Sequence, residues 1–155
     1  MIGVTDVFSR KKRSELMSRI RSKGTAVEES LYSIVRESIA ARWTIDRNVS
    51  GLPGHPDIVI RELRLAIFAH GCFYHCCSQH GHIPKSNREY WSPKLASNLK
   101  RDRLNRSRLR RQGFSVWTIW EHALEGFQLQ RTRLMMQRRL NKFVLEKAAR
   151  RENRY

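Results

Sequence analysis

Residues 70–82, HGCFYHCCSQHGH, hold all three cysteines and four of the six histidines of a 155-residue chain. No other feature restricts the fold as tightly. A stretch this polar has little apolar surface with which to build a core, so something other than burial must hold it. In a reducing compartment, clustered Cys and His read first as metal ligands, whereas a secreted disulfide framework is even in number and dispersed. Cys72, Cys77 and His80 follow the spacing C-x4-C-x2-H, which lets a single loop reach one tetrahedral ion. A fourth ligand must come from elsewhere, and His122, at the end of an apolar strand, is the best placed. A closed Cys2His2 site of this kind is structural zinc, and it can contribute on the order of 10 kcal/mol to folding. Cys76 could replace Cys77, and His82 could replace His80, because adjacent cysteines are indistinguishable at this level.

The rest of the chain supplies a scaffold for that loop. Residues 11–21 read as a short basic helix with Leu16, Met17 and Ile20 on one side, after a frayed start over residues 1–10. Thr25-x-x-Glu28 is a capping box that opens the next helix, where Val27, Leu31, Ile34, Val35 and Ile39 recur at helical spacing. A short strand is expected from Trp43 to Asp46, then a turn-rich loop over residues 50–57. Ile58–Ile60 and Leu65–Ala69 flank a polar turn and read as a hairpin of buried strands. Residues 83–92 read as a polar loop. A long basic helix is expected from Pro93 to Gln112, with the proline in its first turn and Gly113 as its stop. Phe114–Trp120 is a strongly apolar strand, and Arg131 to about Arg150 a last basic helix. Helix, strands, helix, strand, helix is the order of an α/β fold: a mixed sheet with helical cover in one domain. Nothing approaches the roughly 20 apolar residues of a membrane span, and MIGVTDVFSRKKR lacks the apolar core of a secretory signal. The expectation is a cytoplasmic protein.

Charge narrows the partner. Lys and Arg number 31 against 14 Asp and Glu, a net +17, concentrated in residues 10–23, 100–111 and 131–154. Neutralising phosphate is what such an excess does well, so nucleic acid is the expected partner. The last basic helix could extend the phosphate footprint or simply pack on the back of the domain.

Within this frame, Asp57 opens a strand and the second strand of the hairpin brings His70 back at its far end. A carboxylate so placed can bind Mg²⁺ through oxygen, and Mg²⁺ can activate water and stabilise charge building on a phosphodiester. His70 and His75 are candidates for general acid or base, since imidazole titrates near neutral pH. Anchoring Cys72 would hold His75 rigidly. Glu28 or Glu29 could add a second acid to the metal, with Glu28 also serving the cap.

The segments RSELMSRIRSKGTAVE, LPGHPDIVI, IFAHGCFYHCC, IPKSNREYW, KLASNLKRDR and GFSVWTIWEHAL occur in this order over roughly residues 13–126. Together they resemble the very short patch repair (Vsr) DNA mismatch endonucleases. The resemblance implies a PD-(D/E)xK restriction-endonuclease-like fold and Mg²⁺-dependent nicking of one strand 5′ to the thymine of a T:G mismatch. It implies that Asp57 binds metal, with Glu28 acting through metal-bound water and the backbone carbonyl of Ala69 as a further ligand. It makes His75 the catalytic histidine and His70 a second active-site histidine. It assigns zinc to Cys72, Cys77, His80 and His122. Phe73 and Tyr74 fall on an aromatic wedge beside the mismatch, and Met17 on a residue entering from the other groove. Lys85 and Arg88, in the matched IPKSNREYW, are expected on DNA. Such wedges cost a few kcal/mol of unstacking, less at a wobble pair, which turns the difference into selectivity. Family members are expected to act as monomers beside mismatch-repair proteins, here on the nucleoid.

The chain departs from the family at several points. Tyr74 replaces a tryptophan, Ala69 a threonine found in some members, and His55 a common arginine, while Cys76 is extra. Two other readings are weighed: a restriction-type nuclease that cuts or nicks paired DNA, and a zinc-stabilised DNA-binding module without catalysis.

Overall fold

Thr25 caps the first described helix with its own hydroxyl. Its Oγ1 accepts from the Glu28 N–H at 3.2 Å and donates to the Glu28 carboxylate at 3.1 Å. The computed structural model describes residues 25–39, 41 and 43–152, so the basic segment with Leu16, Met17 and Ile20 lies outside the described residues. Helix α1 spans Ala26–Ser38, and three strands follow it: β1 (Asp46–Arg47), β2 (Ile58–Ile60) and β3 (Leu65–His70). Helix α2 (Arg88–Arg111), strand β4 (Ser115–Trp120) and helix α3 (Gln128–Glu152) complete the order.

The sheet runs β1-β2-β3-β4. β1 and β3 are antiparallel to β2, in the registers Asp46↔Val59 and Ile58↔Ile67. β3 and β4 are parallel, with Leu65↔Ser115 and His70↔Trp120 at the two ends. A parallel pair needs a crossover, and α2 provides it. Strand alternation divides the core into two layers. Ile58, Ile60, Leu65, Ile67, Trp117 and Ile119 face α1 and α3, meeting Leu31, Ile34, Met136 and Leu140. Val59, Ala66 and Phe68 point the other way, onto Leu109 and Phe114 at the end of α2. The result is a mixed four-stranded sheet with α1 and α3 on one face and α2 on the other. Successive side chains leave opposite faces of a strand, and both faces are covered, so β2 is buried throughout and β3 nearly so.

The C-terminal stop of α2 is a Schellman motif. Gly113 takes φ +84 and donates to Arg110 O, while the Phe114 N–H reaches Leu109 O at 3.0 Å. The same two residues, Leu109 and Phe114, share the smaller core layer.

Two expected boundaries move. The first strand is Asp46–Arg47, not Trp43–Asp46; Trp43 packs its ring on the core from a bend instead. Helix α2 starts at Arg88, so residues 88–92 are helical and Pro93 lies inside the helix. A proline there removes a helical hydrogen bond and disfavours helix at the residue before it. Tertiary contact outweighs that penalty, because the Trp91 ring in this first part of the helix seats against Phe73, centroids 5.0 Å apart. The last helix has slightly wider bounds than expected, and its buried stripe differs from the apolar side read as Leu134, Met135, Leu140, Phe143 and Val144: Leu134 and Met135 are exposed, and Met136 joins Leu140 against the back of the sheet.

Candidate active site and metal centre

Asp57 and His70 project from the α2 face of the sheet, in phase with Val59 and Phe68, and meet there in a cleft of about 700 Å³. Glu28, Ala69, His75 and Asp102 line the same cleft, together with His55, Arg101, Arg106 and Arg108. Four elements contribute: the N-terminal turn of α1, the loop before β2, the end of β3 with the loop beyond it, and the middle of α2.

Asp57 is held by backbone. One of its oxygens accepts the Ala69 N–H at 2.7 Å. Burial pushes its carboxyl up to about 6, and the Glu28 charge adds to the rise; the Ala69 hydrogen bond opposes both. Two carboxylates sharing one cleft repel each other, and a hard cation with oxygen ligands is a group that fits such a pair. Glu29, the alternative to Glu28, points elsewhere and pairs with Arg47.

The two cleft histidines differ sharply. Burial, followed by the His75 charge, lowers His70 to about 3, so at neutral pH it is an uncharged imidazole. His75 stacks on it, centroids 3.9 Å apart and planes within 13°. The Nδ1 of His75 lies 2.6 Å from the Asp102 carboxylate. A carboxylate only accepts, so Nδ1 carries the proton and Nε2 is the ring's other working position. Burial opposes the Asp102 charge, but the His75 hydrogen bond and the nearby positive charges outweigh it and hold this acid below its usual value. His75 and Asp102 therefore form an oriented acid–base dyad, with His70 as the flat surface that fixes the ring. His70, His75 and Asp102 also have ligand atoms within 4.8 Å of one another. Stacked rings keep their nitrogen lone pairs in two nearly parallel planes, which disfavours convergence of both on one ion.

Asp102 escaped the sequence reading, although it stands within a quoted segment. A lone acid in a helix crowded with arginines looks like an ordinary surface charge, and its partner is 27 positions away. Asn98, one turn earlier, was missed for the same reason. It is 5% exposed and donates to the Tyr74 carbonyl at 3.1 Å. The loop that carries His75 is thus fastened to α2 twice.

Beyond this loop, Cys72, Cys77, His80 and His122 come together with all four ligand atoms within 4.8 Å of one another. His122 Nδ1 lies 3.1 Å from Cys72 Sγ and 3.6 Å from Cys77 Sγ, and His80 Nδ1 lies 4.0 Å from Cys77 Sγ. Ligand atoms on a tetrahedral Zn²⁺ are separated by about 3.3–3.8 Å, as follows from bonds of roughly 2.0–2.3 Å. The soft-plus-imidazole donor set fits that ion. Cys76 is not in the cluster: its left-handed backbone, φ +53, turns it out of line with Cys77. His82 is outside too, its Nδ1 3.4 Å from the His80 carbonyl. Two further residues shape the knuckle. Glu121 accepts the Cys72 N–H at 2.8 Å. Gly81 lies so close to the backbone that a Cβ there would sit 2.5 Å from Cys77 O.

The aromatics between the two sites form a cluster. Phe73 meets Tyr74 at 5.1 Å, Trp91 at 5.0 Å and His82 at 5.8 Å between centroids. Phe73 and Tyr74 are half-buried, so neither is core nor fully free, and Trp91 is a third ring that the sequence reading left in a loop. Lys85 and Arg88 are exposed near the start of α2, while Met17 lies outside the described residues. Among the described residues, no helix is long and apolar enough to cross a membrane.

The family model for DNA mismatch endonuclease Vsr matches residues 5–80. Over 134 residues the chain is 38% identical to the type II nicking enzyme V.XorIIP of Xanthomonas oryzae pv. oryzae, covering 84% of this chain and 95% of that protein. It is 37% identical to the type II nicking enzyme V.NmeAIP of Neisseria meningitidis, over 84% of this chain and 92% of the relative. The DNA mismatch endonuclease Vsr of Escherichia coli is 38% identical over 79% of this chain and 78% of its own. Identity at this level over 78–95% of the length of these relatives has one consequence: the chain belongs to the Vsr DNA mismatch endonuclease family, and it is a DNA endonuclease.

Proposed function

We propose that this endonuclease recognises a T:G mismatch in duplex DNA and, with Mg²⁺, nicks the strand 5′ to the mismatched thymine, opening a short-patch repair event. The observation that carries the reading is continuity: one short loop, residues 71–77, bears the aromatic pair, the His75 of the cleft and two cysteines of the metal knuckle. Opening of the base stack at Phe73 and Tyr74 and chemistry at His75 are then parts of one rigid unit. The mixed sheet, with a carboxylate at the start of one strand, agrees with the PD-(D/E)xK arrangement.

Asp57 and Glu28 would hold Mg²⁺, with the Ala69 carbonyl as a further oxygen. When bound, the ion supplies an activated water and offsets charge on the phosphate. His75 takes or gives a proton at Nε2 while Asp102 keeps Nδ1 protonated, the division of labour seen wherever a carboxylate orients an imidazole. His70 stays neutral and restrains the His75 ring. Arg101, Arg106 and Arg108 bind the strand along the cleft. Phe73 and Tyr74, with Trp91 behind them, press against the weakly stacked wobble pair, and Met17, Lys85 and Arg88 add contacts around it. Cys72, Cys77, His80 and His122 would hold Zn²⁺ and keep the loop in shape. The protein works as a monomer in the cytoplasm, alongside mismatch-repair proteins.

A second reading, nicking of fully paired DNA, draws on relatives whose names are type II nicking enzymes. One assay separates the two. End-labelled duplexes carry T:G, T:A or C:G at the same position, with Mg²⁺ or EDTA, and Asp57→Asn runs beside the parent. A Mg²⁺-dependent nick 5′ to the mismatched T alone is the expected result. Equal nicking of the paired controls would replace the mismatch reading with the second one.

A further inference from the structure

We propose that His55 is a DNA-positioning residue: it binds a phosphate of the strand being cut, next to the one held over Asp57. The inference rests on reading this cleft as the place where the strand is cut.

His55 has an unusual backbone. Its φ is +51, in the left-handed region that favours glycine and that a bulky residue enters at a cost. Nothing near it relaxes. Its N–H is tied to Leu52 O at 3.0 Å, and buried Pro56 follows and fixes the exit. On its other side Gly54, φ +80, lies against α2, where a Cβ would come within 3.0 Å of Asn105. The tip of this loop is therefore pinned to the catalytic helix, and the side chain it presents is exposed rather than packed. A strained, rigidly held, exposed side chain at a cleft is poorly explained by stability, since glycine or asparagine would hold the same turn with less strain.

Its position gives the ligand. The loop wall of the cleft consists of Leu52, Pro53, Gly54 and His55, and of these only His55 has a side chain that can donate to an anion. Helix α2 supplies Arg101, Arg106 and Arg108 to the same cleft. A strand in the cleft would meet no side-chain donor from this loop segment other than His55. Asp57 is two positions along the chain, past Pro56, a reach of at most about 7 Å between Cα atoms, which suits the next phosphate along a strand. The imidazole adds an N–H donor to that phosphate, the contact that positions DNA without reading its sequence.

Because glycine is the natural occupant of this conformation, His55→Gly removes the side chain without disturbing the turn. Binding of the full-length protein to labelled T:G and fully paired duplexes would be followed in EDTA over a salt series. The expected result for His55→Gly is affinity weaker by about tenfold on both duplexes. The slope of log affinity against log salt should also become shallower by up to about 0.9, one phosphate contact. Its thermal midpoint should be unchanged or higher, and His55→Arg should keep both affinity and slope. Affinity and slope equal to the parent would overturn the proposal, as would weaker binding with an unchanged slope and a lowered midpoint, the mark of a packing role. A parent enzyme that fails to prefer T:G would defeat the mismatch reading and leave this comparison intact, since the paired duplex reports the same contact.

Discussion

Burial, with the Glu28 charge adding to it, pushes the Asp57 carboxyl up to about 6, while an unfolded aspartate titrates near 3.8. The native state therefore holds this proton more tightly than the unfolded state does. Metal-free stability tied to Asp57 is present in full below about pH 4 and is lost as pH rises through about 6, by on the order of 3 kcal/mol. Asp57→Asn removes a charge that opposes folding. It should abolish nicking yet raise metal-free stability near pH 7.5 by up to about 3 kcal/mol, with little gain near pH 4; urea unfolding at the two pH values measures this. A variant less stable than the parent near pH 7.5 would mean that the Ala69 hydrogen bond outweighs the burial penalty. Asp102→Asn tests the dyad. It should slow nicking by roughly 100-fold or more while DNA affinity stays within about twofold, because the amide can donate to Nδ1 and so favour the wrong tautomer. Asp57 and His70 were legible as candidates from their places at strand ends, and His75 from its place in the ligand-rich loop. Asp102 was not, since nothing local distinguishes it from the charged residues around it.

At the scale of elements, the knuckle of residues 72–82 has little core and depends on its ligands. Protein purified without added metal should contain about one equivalent of zinc by elemental analysis. Gly81→Ala would force a Cβ against the Cys77 backbone and must open the turn. Zinc affinity should fall by at least tenfold, read by competition with a chromogenic chelator, and an unchanged affinity would show that the knuckle yields easily. For the neighbouring aromatics, Phe73→Ala should weaken binding to T:G duplex more than to paired duplex. Equal losses would make Phe73 a packing residue for Trp91. Elements with strong local signals followed their expected course: the Thr25 cap, the hairpin, and the Gly113 stop. The start of α2 did not, because a proline marks a helix end only when no outside contact overrides it, and the Trp91–Phe73 pair does so.

Across the whole molecule, a sheet with two differently used faces sorts the charge. The cleft and α2 occupy one face, and α3 covers the other with Met136 and Leu140. Basic residues on the two helices should thus differ in effect. Replacing Arg101, Arg106 and Arg108 with Gln should make the salt dependence of DNA binding shallower by roughly two to three contacts. Replacing Arg131, Arg138 and Lys142 on α3 should leave it within about half a contact. A large change from the α3 set would mean that DNA wraps to the back of the sheet.

The sequence by itself determined a basic α/β chain, its ligand-rich loop, the hairpin with Asp57 and His70 at strand ends, and its family. These are periodic or contiguous properties, carried by residues close in the chain. Only the tertiary structure decided that Asp102 orients His75, that Glu28 rather than Glu29 reaches Asp57, that Cys77 and His80 rather than Cys76 and His82 meet His122, and that the last helix lies behind the sheet. Each of those choices depends on how distant segments pack, and the energy that selects between two adjacent, chemically equivalent side chains is spread over contacts that no short stretch of sequence contains.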